Sequence, residues 1–442
     1  MEYINAQVEN HDVEYSEFKD NVNEVVTIHG FIHRIREMSD FKFVILRTKR
    51  EEVQCIYSKE VSKFDWTDDI CEQCCVSVTG KVVADVTREG RYELQIHTIE
   101  VLSRPAEPMP IVINKKQLDV PLDTNLSLRP ISLRNPKERA IFKIQEGVQK
   151  GFRDYLMSQR FTEIKTPKIN FASAEGGANV FKLDYFGKEV FLAQSPQFYK
   201  QTMVGVFERV FEIDPVFRAE HHDTSRHLNE YISMDFEMGF INSFYDIMNM
   251  ETGALKYIME LLKTEYKEEL DILKAKLPEF DKIPCIRFSE AKELMIKKFK
   301  MKITDFSDFE PEEEANICKW AEKELGSEFI FVTHYPSAKR PFYAMDDPEN
   351  PEYTLSFDLL FRGMEVTTGG QRIHDYNQQV QKMLARGMNP EAFESYLMAH
   401  KYGLPPHGGL GLGLERLVTK LLGYPNVRSG SLFPRDINRV TP

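Results

Sequence analysis

The sequence predicts an α+β protein, and two patterns along its 442 residues carry this prediction. Short runs of alternating apolar and polar residues fill the first hundred positions, whereas helical spacings and strands come in blocks further along. A proline-rich stretch without periodicity separates the two patterns. We therefore expect a β domain over residues 1–104, a linker or hinge over 105–130 and a mixed domain over 131–442.

Five strands are expected in the first domain, at residues 25–36, 41–47, 52–57, 76–84 and 92–102. A helix is expected near residues 59–70, between the third and fourth strands. This order indicates a small Greek-key barrel of the OB type, with a small β-sandwich as the alternative. The domain contains 13 Lys and Arg against 20 Asp and Glu, so its charge alone does not indicate RNA binding.

Helices and strands are both expected in the second domain. A long helix is predicted from the spacing of Ile141, Ile144, Val148, Phe152 and Tyr155. A shorter helix is predicted between a proline at 311 and a glycine at 326. Strands are expected at 329–336, at 355–366 and in the glycine-rich segment 407–413.

Composition limits the class of protein. Hydrophobic residues make up 42% and charged residues 29%, which is typical of a globular chain. No apolar stretch approaches the ~18 residues of a membrane span, and the acidic N-terminus is unlike a signal peptide, so we expect a cytoplasmic protein without a membrane partner. The net charge of −12 argues against non-specific nucleic-acid binding but leaves room for a local basic groove. The C-x-x-C-C group at 71–75 lacks a second pair of ligands, which favours free thiols over zinc.

A hairpin over residues 210–238 could gather charged and aromatic groups on one face. Arg218 and Glu220 are two positions apart, and Tyr231 and Asp235 are four apart, so on strands each pair shares a face. Arginine suits phosphate because its planar fork donates two charge-assisted hydrogen bonds. A charged surface hairpin is the alternative at this point.

Two further segments suggest a phosphorylated ligand. Asp358 and Glu365 are carboxylates of the kind that Mg²⁺ uses beside phosphates. The tail HGGLGLGLER (407–416) lacks the strand, turn and helix order of a dinucleotide fingerprint. Its glycines would instead let a strand backbone approach a ligand closely, with Arg416 just beyond.

These segments, in this order, resemble the three signature motifs of class II aminoacyl-tRNA synthetases. The resemblance rests on FTEIKTPKI (161–169), FRAE (217–220) followed by MDFEM (234–238), and GLGLER (411–416). Four further segments are similar to aspartyl-tRNA synthetases of the archaeal type: AEGGAN (174–179), QSPQFYKQ (194–201), TTGGQRIH (367–374) and SLFPRD (431–436). The family implies a catalytic domain built on an antiparallel sheet flanked by helices, ATP and Mg²⁺ as cofactors, and a homodimer formed through the first motif.

The resemblance also implies a role for individual residues. Arg218, Glu220 and Arg416 would be catalytic. ATP would contact Arg218, Glu220, Arg226, His227, Leu228, Tyr231, Glu365, Gly413, Leu414, Glu415 and Arg416. L-aspartate would contact Glu175, Ser195, Gln197, Lys200, Arg218, Asp235, Thr368 and Arg372, and Mg²⁺ would be held by Asp358, Glu365 and Thr368.

In this family the barrel reads the tRNA anticodon while the acceptor end enters the catalytic domain. The resemblance assigns anticodon contacts to Arg36, Phe43 and Gln54, with Phe43 stacking on a splayed base. Without the resemblance, Phe43 would be assigned to the barrel core.

Two alternative functions remain open from the sequence. An asparaginyl-tRNA synthetase shares the fold and motifs, but Lys200 favours a carboxylate substrate, because an amide would leave a buried ammonium unpaired. A synthetase paralogue that activates an amino acid without charging tRNA would have no use for a complete barrel. The sequence leaves open whether tRNA(Asn) is charged as well as tRNA(Asp).

Overall fold

A computed structural model describes residues 12–49, 51–172 and 179–442. The chain forms two compact units, residues 1–119 and residues 120–442. This division falls inside the stretch 105–130 that the sequence indicates as a linker. The later part of that stretch belongs to the second unit, since residues 122–127 are helical and the buried Arg129 donates hydrogen bonds to the carbonyl oxygens of Leu432 and Ser431.

The first unit is a closed five-stranded barrel, as predicted, with strand order β1-β2-β3-β5-β4. Its strands are β1 (Val25–Glu37), β2 (Phe41–Arg47), β3 (Glu52–Ser58), β4 (Cys75–Ala84) and β5 (Tyr92–Ser103). Alternate side chains, such as Val44 and Leu46, are fully buried in its core. Each strand therefore presents one face to the core and one to solvent.

The helix expected near residues 59–70 is wrong. This segment forms turns and irregular structure, and two of its own side chains, Phe64 and Trp66, pack on Tyr57 with ring centres 5.2 and 5.3 Å away. Aspartate and threonine side chains between positions 65 and 69 favour turns, because they compete with the helix for backbone hydrogen bonds. Aromatic packing and local side-chain chemistry together override the helical expectation.

The second unit is built on an eight-stranded sheet with the order β12-β13-β14-β15-β16-β11-β10-β6, antiparallel except for its two outermost pairs. Its strands are β6 (Thr162–Glu163), β10 (Arg209–Phe217), β11 (Glu230–Gly239), β12 (Cys285–Arg287), β13 (Phe329–Thr333), β14 (Ser356–Phe361), β15 (Met364–Gln371) and β16 (His407–Gly413). A smaller sheet contains β7 (Ile169–Asn170), β8 (Lys182–Tyr185) and β9 (Lys188–Leu192).

Eleven α-helices occur in the described part of this unit. They are α1 (Leu122–Ser127), α2 (Arg129–Ser132), α3 (Pro136–Ser158), α4 (Gln197–Phe207), α5 (Tyr245–Glu265), α6 (Lys267–Leu273), α7 (Phe288–Phe299), α8 (Pro311–Trp320), α9 (Tyr376–Ala385), α10 (Glu394–Lys401) and α11 (Leu414–Leu422). The α+β class predicted from the sequence is confirmed. No helix among the described residues is long and apolar enough to cross a lipid bilayer.

The central strand β11 separates the core from a polar face. Met234, Phe236 and Met238 belong to the hydrophobic core that also includes residues of α3, α5 and α11. The residues between them in the sequence, Asp235 and Glu237, point to the other face. Helices thus cover one side of the sheet, and the opposite side is left for polar chemistry.

Candidate active site

A cavity of about 660 Å³ lies over the polar face of the central sheet. Of the residues that the sequence nominates, the following line it: Ser195, Gln197, Lys200, Arg218, Glu220, Arg226, His227, Leu228, Tyr231, Asp235, Glu365, Thr368, Arg372, Gly413, Glu415 and Arg416. Residues that are more than two hundred positions apart in the chain therefore meet around one space.

Three residues that the sequence assigned to this site are not among those that line the cavity. The side chain of Leu414 is fully buried in the hydrophobic core, so it does not face the cavity. Asp358 is buried on β14, directly opposite Thr368 on β15. Glu175 lies outside the described residues.

The cavity carries an excess of positive charge although the whole chain has a net charge of −12. Among the described residues that line it, eight are Lys or Arg and four are Asp or Glu. Lys339, Arg340 and Arg386 belong to this set and were not anticipated from the sequence. A local excess of positive charge attracts a polyanionic ligand such as a nucleoside triphosphate.

Two buried cations and two buried carboxylates form a connected group at the cavity, and three of them, Lys200, Asp235 and Arg372, line it. The Lys200 Nζ donates to Asp235 Oδ1 and to the Leu410 carbonyl oxygen, each at 2.9 Å, and lies 3.4 Å from Glu237 Oε2. The Arg372 Nε donates to Glu237 Oε1 at 2.8 Å. All four side chains are at most 7% exposed. The formal charges of this group cancel.

Glu237 was missed by the sequence reasoning, and it changes the argument about Lys200. Burial acts to raise the pKa of Glu237, but the charges of Arg372 and Lys200 hold that pKa below its ordinary value. Lys200 and Arg372 therefore each have an acidic neighbour, Glu237, within the protein itself. The penalty for an amide substrate is therefore smaller than a fully stranded charge would imply.

The glycines of β16 allow this arrangement. A Cβ atom at Gly409 would lie 2.1 Å from the Phe236 carbonyl oxygen and 2.2 Å from Glu237 Oε2. The Gly409 carbonyl oxygen also accepts a hydrogen bond from Arg372 Nη2 at 3.0 Å. The glycines thus allow close approach of the neighbouring strand, with Glu237 as the group that approaches, whereas their expected role beside a ligand stays a prediction.

Arg218 and Glu220 lie just beyond the end of β10, which stops at Phe217, and not on the strand as expected. They remain neighbours, with 3.9 Å between Arg218 Nη1 and Glu220 Oε1. The Arg218 guanidinium lies 5.8 Å from the centre of the Tyr231 ring. Burial lowers the pKa of His227, whose Nε2 is 3.6 Å from Glu220 Oε2. Guanidinium, aromatic and imidazole groups thus share one wall.

A second group of charges surrounds Glu365. Arg416 Nη1 donates to the Glu365 carbonyl oxygen at 3.1 Å and lies 3.2 Å from its Oε1. Arg226 donates to Glu314, whose Oε2 also accepts the Glu365 backbone N–H at 3.1 Å. Burial, together with the charge of Glu365, raises the pKa of Glu314 to about 7. Glu314 was not anticipated, since only the tertiary fold brings α8 against this wall.

Glu415 has a structural partner in the same region. Both of its carboxylate oxygens lie 3.1 Å from the Ile232 backbone nitrogen, which donates to them. Burial raises the pKa of Glu415 to about 8. Burial therefore acts against the charged form of Glu415.

The carboxylates Asp358 and Glu365 fit a divalent cation. Asp358 Oδ1 is buried and has no hydrogen-bond partner among the described residues, while Oδ2 accepts from Arg340 Nη2 at 2.7 Å. Burial raises the pKa of Asp358 to about 6, opposed by Arg340 and reinforced by Glu365. The described residues contain no group of three or more His, Cys, Asp or Glu side chains that could hold a metal. Two carboxylates without a full cage match Mg²⁺, which takes its remaining ligands from water and phosphates.

The three nominated residues of the barrel share its outer face. Arg36 on β1 pairs directly with Phe43 on β2, and Gln54 on β3 pairs with Ile45, two residues further along β2. Phe43 is half-buried, whereas its neighbour Val44 is fully buried in the core. Gln54 donates to Glu93. The placement of Phe43 disagrees with a core role and leaves its ring partly available for stacking.

Comparison with known proteins assigns the chain to a family. The profile described as "tRNA synthetases class II (D, K and N)" matches residues 121–437, and the profile "OB-fold nucleic acid binding domain" matches residues 26–102. The chain belongs to the class II tRNA synthetases. The resemblance seen in the sequence motifs is thereby confirmed, and the synthetase is a ligase of a class that uses ATP.

Similar curated proteins cover almost the whole synthetase. It is 44% identical to the "Aspartate--tRNA(Asp/Asn) ligase" of Deinococcus radiodurans, over 96% of this chain and 98% of that protein. Identity to the protein of the same name from Thermus thermophilus is also 44%, over 96% and 99% of the two chains. The "Aspartate--tRNA(Asp) ligase" of Pyrococcus abyssi is 37% identical, over 97% and 98%.

Solved structures confirm the fold but not the amino acid. An asparaginyl-tRNA synthetase from Pyrococcus horikoshii, complexed with asparaginyl-adenylate, matches with a TM-score of 0.90 and 29% identity, over 98% of this chain and 100% of that chain. An aspartyl-tRNA synthetase from Entamoeba histolytica matches with a TM-score of 0.84 and 29% identity, over 98% and 93%. Proteins of both specificities therefore share this backbone fold.

Proposed function

We propose that this synthetase is an aspartate–tRNA ligase that activates L-aspartate with ATP and charges both tRNA(Asp) and tRNA(Asn). The two 44%-identical relatives bear the Asp/Asn name, which supports dual charging. The ion pair between Lys200 and Asp235 at the cavity carries the choice of aspartate.

Aspartate would bind by exchanging partners within this ion pair. Its ammonium group would take Asp235, which the Lys200 ammonium otherwise contacts at 2.9 Å. Lys200 would then turn to the substrate side-chain carboxylate, with Arg372 beside it. Ser195, Gln197 and Thr368 line the same space and would complete the pocket. Bound aspartate would thus leave each buried charge with a partner of opposite sign, because its ammonium pairs with Asp235 and its side-chain carboxylate with Lys200.

Activation would proceed by positioning and charge stabilisation. The α-carboxylate of aspartate attacks the α-phosphorus of ATP, and pyrophosphate leaves as aspartyl-adenylate forms. Arg218 and Arg416 would stabilise the charge that develops on the phosphate oxygens. Tyr231 offers a planar ring to the adenine. Arg226 and His227 would contact the remaining phosphates, and Gly413 and Leu228 would lie against the nucleotide.

Asp358 and Glu365 would hold Mg²⁺ with help from Thr368. When bound, the ion would neutralise phosphate charge and orient the oxygens around the reacting phosphorus. Arg340, which donates to Asp358, would keep that carboxylate in place. The arrangement fits a cation delivered together with the nucleotide, because the two carboxylates alone leave most coordination positions to phosphates and water.

Charging would follow in the same cavity. A ribose hydroxyl at the 3′ end of tRNA attacks the carbonyl carbon of the adenylate. The bond between this carbon and the phosphate oxygen breaks, and AMP leaves with the electron pair. Arg36, Phe43 and Gln54 on the barrel would contact the anticodon. The segment 161–169 would form the interface of a homodimer.

Asparagine is the second candidate substrate. The asparaginyl-tRNA synthetase of Pyrococcus horikoshii has the higher TM-score of the two solved structures described above. Glu237, which already compensates part of the charge of Lys200 and Arg372, would make an amide less costly there. The relatives at 44% identity favour aspartate over this alternative.

ATP–pyrophosphate exchange with each amino acid, followed by charging of both tRNA transcripts, tests the proposal. We expect exchange with aspartate and not with asparagine at equal concentration, and aspartylation of both tRNAs. Exchange with asparagine alone would overturn the assignment. Aspartylation of tRNA(Asp) alone would remove the dual function, and exchange without any charging would indicate an activating paralogue.

A further inference from the structure

Cys71 and Cys74 form a pair of neighbouring thiols in the barrel unit. Their Sγ atoms lie 3.6 Å apart, and both cysteines are free. The Cys74 backbone N–H donates to the Cys71 carbonyl oxygen at 3.2 Å, which closes a four-residue turn. Neither the family assignment nor the proposed chemistry uses this pair.

The turn has the dimensions that a disulfide requires. A turn of this type keeps its end Cα atoms within about 7 Å, and disulfides span about 4.4–6.8 Å between Cα atoms. The sulfur atoms would have to approach by roughly 1.5 Å to reach bonding distance. Side-chain rotation supplies such a movement more readily than backbone rearrangement does.

The backbone of the turn is fixed against strand β1 on both sides. Gln73 N–H donates to the Ile32 carbonyl oxygen at 2.6 Å, and Ile32 N–H donates to the Cys74 carbonyl oxygen at 3.0 Å. The Glu72 carboxylate accepts the Ile35 N–H at 3.2 Å. The thiols are therefore held close by contacts that do not depend on the thiols themselves.

The two thiols differ in exposure. Cys74 is fully buried, whereas Cys71 is partly exposed and would meet a reagent from solvent first. Cys75 starts strand β4, along which partly exposed and buried residues alternate, and it is itself partly exposed.

We propose that Cys71 and Cys74 are a modification site, at which a low-molecular-weight disulfide oxidises the two thiols to an intramolecular disulfide. The Cys71 thiolate attacks the reagent disulfide, forming a mixed disulfide and releasing one thiol. The Cys74 thiolate then displaces the second thiol and forms the Cys71–Cys74 bond. In total, the protein loses two protons and two electrons. The reagent disulfide takes them up and is reduced to two thiols.

The site would form a structural disulfide slowly and would not act as a catalytic dithiol. Burial and the neighbouring Cys74 raise the pKa of Cys71, so its reactive thiolate is scarce at neutral pH. The resulting bond would tie the turn that anchors β1. Reduction by dithiothreitol would restore the thiols.

The test uses the full-length chain and oxidised glutathione. After incubation, the protein is denatured, alkylated with iodoacetamide and mapped by mass spectrometry. Of its six cysteines, we expect four to be alkylated and Cys71 and Cys74 to be recovered in one disulfide-linked peptide. Alkylation of both Cys71 and Cys74 after prolonged incubation, or a disulfide through Cys75, would overturn the proposal.

Three serine variants, each checked for native circular dichroism, sharpen the result. Cys74→Ser should stop at the glutathione adduct on Cys71, because the resolving thiol is missing. Cys71→Ser should leave Cys74 unmodified, since the buried thiol is out of reach. Cys75→Ser should react like the wild type, and its failure to do so would contradict the pairing.

Discussion

Among single residues, Lys200 is the one at which we propose that amino-acid choice depends on one charge. We expect Lys200→Met to lower kcat/KM for aspartate by about 10- to 150-fold, the worth of one charge-assisted hydrogen bond of about 1.5–3 kcal/mol. Activation of asparagine should change little, because an amide gains less from the ammonium. Exchange kinetics with both amino acids measure the ratio, and an unchanged preference for aspartate would remove Lys200 from the substrate site.

Lys292 offers a matched control for this variant. It is as buried as Lys200, at 2% exposure, and it is bonded to Glu313 at 2.8 Å outside the cavity. Lys292→Met should therefore reduce stability without changing the preference for aspartate. We expect Arg372→Leu to resemble Lys200→Met, and the double variant to be strongly non-additive, because both residues would bind the aspartate side chain and both contact Glu237.

Arg218 is the second single residue to test, because we propose that it stabilises charge on the ATP phosphates. We expect Arg218→Ala to slow adenylate formation by ~10²–10³-fold, the typical loss for one preorganised donor in a transition state. Pyrophosphate exchange measures this step without tRNA. Arg88→Ala, at an exposed arginine of the barrel, is the control and should behave as wild type. A folded Arg218→Ala protein with normal exchange would contradict the assigned role.

At the scale of elements, strand β16 begins at a buried histidine that is held neutral. His407 is fully buried, contacts Gln201 Nε2 at 2.9 Å and the Pro405 carbonyl oxygen at 2.9 Å. Burial lowers its pKa to about 4. Between pH 6.5 and 4 the unfolded chain binds more protons than the native one, so stability decreases as the pH falls through this window.

We expect His407 to contribute to the slope of protein stability against pH. At about 1.4 kcal/mol per pH unit, His407 should remove roughly 2 kcal/mol of stability between pH 6.5 and 5. His407→Gln should lose this part of the slope, whereas His97→Gln in the barrel should keep it. The chain has two tryptophans, so Trp320 fluorescence in a Trp66→Phe background follows urea unfolding of the second unit. An identical slope in wild type and His407→Gln would contradict the argument.

At the scale of the whole molecule, the two compact units have separate hydrophobic cores. Phe43→Ala should weaken tRNA binding by about 1–3 kcal/mol, the usual worth of one stacked base. Aspartate activation without tRNA should be unaffected. The adjacent Val44→Ala, at a fully buried position, should instead destabilise the barrel by about 1–2 kcal/mol.

These two neighbours on β2 distinguish the functional role from the structural one. Filter binding of labelled tRNA, corrected for the folded fraction, gives the affinity of each variant. If Phe43→Ala lowers the folded fraction and leaves the corrected affinity unchanged, then Phe43 serves packing and not base stacking.

Features that depend only on neighbouring residues could be predicted from the sequence. Strand positions in the barrel follow from the two-residue alternation, and α3 follows from its apolar spacing, because each pattern needs only neighbouring residues. The motif residues around Arg218, Asp235 and Arg416 could be nominated because chemistry and order along the chain are visible without coordinates. Local reasoning failed at residues 59–70, where aromatic packing and turn-forming side chains prevail.

The pairing of charges, by contrast, depends on the three-dimensional fold. Glu237 and Arg372 are separated by 135 positions, and Arg226 and Glu314 by 88, yet each pair is in contact. Asp358 and Arg340 meet in the same way. Such pairing depends on which side chains are removed from water together, because a buried charge is stable only beside a partner that the fold brings to it. No periodic pattern in the sequence indicates which distant charged residues come into contact.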